Sequence, residues 1–194
     1  MPSFVGSLFV FVCLAATAIA ATKTPPYYII TNAETPSLNR PGLTPVGKQR
    51  AESCIPEVFS QLNIGFILSC KVDKDGEEGL KCPVAVQTAT PLAQALGLNI
   101  TFCGTGEESN DDCVHDKIHA FLKSSNQSAL VVWDNTDMDS LLENADVNDA
   151  GIDDDTVGTH PDVILTVVSG ARVGQISMNC TGIDGPAQLP SLGQ

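Results

Sequence analysis

Positive charge is what this 194-residue chain has least of: 10 Lys and Arg stand against 23 Asp and Glu, a formal net charge of −13. An excess of that sign repels nucleic acid and anionic headgroups, so neither is expected as a partner. Histidine is scarce as well, with His115, His119 and His160 the only three, and Trp133 is the sole tryptophan. Beyond the N-terminus no apolar run approaches membrane length, so no spanning helix is expected in the mature chain.

The first twenty residues, MPSFVGSLFVFVCLAATAIA, are apolar, of signal-peptide length, and end in the small-residue pattern Ala18-Ile19-Ala20. No Lys or Arg precedes the apolar run, which leaves a signal anchor as the alternative. The reading adopted is a signal peptide over 1–20, a single domain over 21–180 and an irregular tail over 181–194. The product is expected outside the cell.

Of the seven cysteines, Cys13 falls in the leader, and the even remainder, Cys54, Cys70, Cys82, Cys103, Cys113 and Cys180, reads as disulfides in an oxidising compartment. Sequence does not fix their connectivity. Short polar loops favour Cys70 with Cys82 and Cys103 with Cys113, which leaves Cys54 with Cys180. Secretion also gives meaning to three Asn-X-Ser/Thr acceptors, Asn99, Asn126 and Asn179. Asn126, in a polar stretch, is the strongest of them.

Tyr27 to Ile30 reads as a first, central strand. Thr44-Pro45 supplies a cap and an N1 proline for a helix to Ile55, kinked or restarted at Pro56. Further strands are expected over Ile64–Leu68, Ile100–Cys103, Ala129–Trp133, Val163–Val168 and Val173–Met178, with helices from Pro83 to Leu96, from Asp111-Asp112 to Lys123, and from Asp137 to Asn144. Alternation of this kind predicts an α/β domain, with the last two strands forming an antiparallel hairpin around Ser169-Gly170-Ala171-Arg172.

Several segments in register resemble the histidine phosphatase, or phosphoglycerate mutase-like, superfamily. They are a strand leading into Thr31-Asn32-Ala33-Glu34-Thr35, then Leu43-Thr44-Pro45-Val46-Gly47, then Ile67-Leu68-Ser69, Gln87-Thr88-Ala89-Thr90-Pro91-Leu92-Ala93, and Ala129-Leu130-Val131-Val132-Trp133-Asp134-Asn135. The resemblance spans about Tyr27 to Leu142 and implies a three-layer α/β sandwich with a mostly parallel central sheet flanked by helices. It also implies a site, and here the chain departs from the family. Asn32 stands where the nucleophilic histidine belongs, Thr31 and Val84 where two arginines belong, and Asp134 where a second histidine belongs, while Glu34 keeps the family identity. A carboxamide has no basic lone pair with which to attack phosphorus. Loss of both guanidinium groups removes bidentate phosphate recognition, and Asp134 sets an anion where an anionic ligand would sit. The resemblance therefore implies a secreted pseudoenzyme acting by binding an extracellular ligand or protein that the sequence does not identify, with no catalytic residues and no cofactor.

The competing reading is an active extracellular hydrolase, either a phosphomonoesterase with a rearranged site or a carboxylate enzyme using Glu34, Asp134 and Glu107 or Glu108 on an uncharged substrate such as a glycoside. Trp133 would then stack on a sugar; the simpler role is to fill the volume left by lost active-site side chains. His115 and His119, four residues apart, share a helix face near Asp111, Asp112 and Asp116, a spacing compatible with a metal pair. They lack a clear third ligand and read first as surface or structural groups, so no metal is expected. The acidic stretch from Asp134 to Asp155 starts an EF-hand-like loop at Asp146, but Ala150 and Val157 occupy ligand positions, so a solvated acidic face is expected.

Overall fold

The structure, a computed structural model, describes residues 24–38, 40–72, 80–105, 112–147 and 158–185. Residues 1–23, Asn39, residues 73–79, residues 106–111 with Glu107, Glu108 and Asp111, residues 148–157 and residues 186–194 lie outside the described residues.

Six strands form one sheet: β1 (Tyr27–Thr31), β2 (Ile64–Cys70), β3 (Ile100–Cys103), β4 (Ser128–Trp133), β5 (Val163–Val168) and β6 (Ala171–Ser177), in the spatial order β3-β2-β4-β1-β5-β6. β3, β2, β4 and β1 pair in parallel, whereas β5 pairs antiparallel with both β1 and β6. The sheet is therefore mixed, which corrects the expectation of a mostly parallel one. The break comes from β5, which enters the sheet antiparallel beside β1, and its hairpin with β6 is closed locally. Ser169 and Gly170 both have positive φ, 51° and 76°, the pair of left-handed residues that closes a tight hairpin between twisted strands.

Successive residues of a strand point to opposite faces, and β1 shows that both are covered. The Tyr27 hydroxyl donates to the carbonyl of Ala145, just beyond α5 (Met138–Asn144), while the next residue, Tyr28, meets Phe59 of α2 (Ile55–Phe59) edge-on at 6.0 Å. Phe66 of β2 stacks on Phe121 of α4 (Cys113–Ser124) at 5.1 Å. α3 (Cys82–Leu96) packs on β2 and against α2. Between these layers β4 is buried along its whole length, as its uninterrupted apolar run requires.

The first helical stretch starts as expected, with the Thr44 hydroxyl accepting the Gly47 N–H at 2.9 Å and Pro45 opening α1 (Pro45–Gln49). It restarts at Pro56 as expected, for Pro56 lies in the first turn of α2. It widens into a π-helical stretch over Arg50–Cys54 and resumes as α2. Pro56 offers no N–H and its ring crowds the carbonyl four residues back, and a wider turn ahead of it accommodates both defects. α3 ends on Gly97 at φ 65°, the left-handed conformation that glycine adopts without strain.

All six cysteines among the described residues are paired, Cys54–Cys180, Cys70–Cys82 and Cys103–Cys113, with Cα–Cα separations of 5.6, 5.2 and 6.0 Å. The two short bridges fasten the ends of β2 and β3 to the starts of α3 and α4. The long one ties the first helical stretch to the chain after β6. Among the described residues no helix is long and apolar enough to cross a membrane.

Candidate functional site

The chain leaves β1 towards β2 and leaves β4 towards β5, on opposite sides, so the carboxyl ends of β1 and β4 flank a topological switch point, where open α/β sheets place ligands. Thr31, Asn32 and Asp134 sit at these two strand ends. Thr31 is the last residue of β1, and its Asn32 neighbour, 3% exposed, continues the pairing by donating its backbone N–H to the Trp133 carbonyl at 2.8 Å. The Asn32 side chain is committed as well. Its Oδ1 accepts the Asn135 N–H at 2.9 Å and its Nδ2 donates to the Ala33 carbonyl at 3.0 Å.

Asp134 is fully buried and saturated. Oδ1 accepts the Thr136 N–H at 2.8 Å and the Thr136 hydroxyl at 2.7 Å, and Oδ2 accepts the Lys81 N–H at 2.7 Å. The side chain therefore organises the turn after β4 and holds the approach to α3, a structural use for a buried carboxylate. Val84 lies in the first turn of α3, buried, and its carbonyl accepts the Thr88 hydroxyl, which in turn accepts the Ala33 N–H at 3.0 Å. Lys81 places its Nζ 3.0 Å from Asn135 Oδ1. Lys81, Asn135 and Thr136 were not singled out from sequence; Lys81 precedes Cys82-Pro83, a helix-start signal that marks its place but not its partners.

Glu34 is held elsewhere. Its carboxylate takes the Arg50 guanidinium, Nη2 to Oε1 at 2.6 Å and Nε to both oxygens at 3.1 Å, and the same guanidinium reaches Asp184 at 2.7 Å. Arg50 is 3% exposed in this triad, and burial alone would weaken its charge; the hydrogen bonds and charges of Glu34 and Asp184 outweigh that and raise its pKa. Asp184 is likewise penalised by burial, yet the Arg50 hydrogen bond, the Cys180 N–H and the Arg50 charge hold its carboxyl below the usual range. Sequence reasoning passed over both Arg50 and Asp184. A cleft of about 510 Å³ beside the triad is lined by Glu34, Arg50, Asp162, Ser177, Asn179 and Asp184 among others.

Trp133 is fully buried, and its indole N–H donates to Asp137 at 2.8 Å. It fills core volume and presents no face to a sugar, so the stacking role is withdrawn. At the opposite end of the sheet a cleft of about 800 Å³ is lined by Tyr27, His119, Lys123, Asn126 and Asp146 among others. Burial first, then the charges of His115 and Lys123, lower the pKa of His119 against the opposing pull of Asp146 and Asp116. The asparagines of the three Asn-X-Ser/Thr sequences are all exposed, Asn99 just before β3, Asn126 just before β4 and Asn179 after β6.

No family model matches the chain, and no curated protein does. Among solved structures it is similar to the putative phosphohistidine phosphatase SixA from Agrobacterium tumefaciens, at 16% identity and a TM-score of 0.46 over 79% of this chain and 99% of that one. A likeness of this size carries neither family membership nor activity to this chain.

Proposed function

We propose that this chain is a secreted, disulfide-bonded and glycosylated pseudoenzyme of the histidine phosphatase kind, which acts by binding an extracellular ligand or protein and transfers no phosphoryl group. The observation that carries the reading is the state of Asn32: the residue at the nucleophile position is a buried amide whose oxygen and nitrogen both serve the backbone. Asp134, at the second-histidine position, has its carboxylate occupied by three donors. Neither group is available for attack or for holding an anion. The arginine positions hold Thr31 and Val84, which offer no charge to an anion.

Titration of the full, disulfide-bonded protein with orthovanadate and with inorganic phosphate tests this directly. No saturable binding is expected. Saturable binding abolished by Asn32→Ala or Asp134→Ala, with the fold retained, would return the site to phosphoryl chemistry. The extracellular part of the proposal is checked by N-terminal sequencing of protein recovered from culture medium, which should begin near Ala21.

A further inference from the structure

The imidazoles of His115 and His119 stand one turn apart on α4 with ring centroids 4.0 Å apart. His119 is exposed, and it lines the cleft of about 800 Å³ at the end of the sheet away from Asn32. We propose that His115 and His119 form a two-imidazole chelate for a divalent ion of borderline hardness, the class of Zn²⁺, Ni²⁺ and Cu²⁺, at the mouth of that cleft.

The helix supplies the geometry. Residues four apart face the same side, and rings already in contact need only side-chain rotations, with no backbone movement, to aim one nitrogen each at a shared ion. Ligand chemistry supplies the selectivity, since imidazole nitrogen suits Zn²⁺, Ni²⁺ and Cu²⁺ whereas Ca²⁺ and Mg²⁺ take oxygen. Among the described residues no thiolate competes, because all six of their cysteines are in disulfides. The net charge of −13 draws cations towards the surface, and Asp146 lines the same cleft. Among the described residues no third His, Cys, Asp or Glu completes a cluster. The remaining coordination positions thus fall to water or to a donor ligand entering the cleft, an open site weaker than a closed four-ligand one.

Calorimetric titration of the full protein at neutral pH with Zn²⁺ and Ni²⁺, and with Ca²⁺ as the hard-cation control, decides the matter. The expected result is one equivalent of Zn²⁺ or Ni²⁺, undisturbed by Ca²⁺ and weakened about tenfold or more in both His115→Asn and His119→Asn. Circular dichroism of the variants confirms that α4 persists. Three results would overturn the proposal: no saturable heat, binding of full strength in both variants, or displacement by Ca²⁺, which would place the ion on carboxylates.

Discussion

The side-chain oxygen of Asn32 accepts the backbone N–H of Asn135 at 2.9 Å, so Asn32 stitches the end of β1 to the turn after β4. Replacing it by alanine leaves that N–H without its partner in a partly buried place. The expected cost for Asn32→Ala is about 1–3 kcal/mol in chemical denaturation, with an unchanged slope. A neutral result would mean that the amide has no structural duty.

Arg50 holds two carboxylates from segments far apart in sequence, Glu34 and Asp184. Removing the guanidinium in Arg50→Met leaves both anions facing each other. Their side chains keep 26% and 10% of their exposure, so water recovers part of the loss, and the expected destabilisation is about 2 kcal/mol, short of the value for a wholly buried pair. Thermal unfolding of the variant measures it.

The depressed pKa of Asp184 gives this triad a signature in acid. A carboxylate whose folded-state pKa lies below its unfolded value contributes stability that is fully present above the unfolded value, about 4, and is lost as pH falls through the folded one. Stability measured from pH 5 downwards should therefore fall less steeply in Asp184→Asn than in the parent. Identical slopes would remove Asp184 from the account of acid unfolding.

Gly47 is required by close approach: a Cβ there would run into the carbonyl oxygen of Glu34, which also accepts the Thr44 N–H at 2.9 Å. Backbone cannot yield as a side-chain tip does. Gly47→Ala should cost about 1–3 kcal/mol and loosen the Glu34–Arg50 pair with it.

The bridges differ in what they restrain. Cys54–Cys180 spans 126 residues and Cys70–Cys82 spans 12, so chain entropy alone predicts losses of about 5 and about 3 kcal/mol when each pair becomes alanine. Denaturation of the two double variants should preserve that order.

Much of the frame was legible because its signals are local. Thr44-Pro45 and Cys82-Pro83 with Gly97 each declare a boundary within a few residues, whereas β6 starts at Ala171, two residues ahead of the expected Val173. The π-helical widening before Pro56 was not legible, since a proline announces a disturbance without saying how the helix absorbs it. Arg50 on a helix reads as a solvated cation, and only the fold brings it to Glu34, 16 residues away, and to Asp184, 134 away. Asp134 was recognised by position, but its burial under Lys81 and Thr136 depends on where α3 begins in space. Strand direction had the same character: β5 breaks the parallel order through its pairing with β1, a contact across more than a hundred residues.

The central claim is that this scaffold does no phosphoryl chemistry, and turnover tests it most directly. The full, disulfide-bonded protein, assayed against a broad panel of phosphomonoesters beside an Asn32→Ala, Asp134→Ala preparation, is predicted to release phosphate no faster than that variant. Turnover in the native protein that disappears in the variant would contradict the account, because it would make the buried amide and the saturated carboxylate part of a working site.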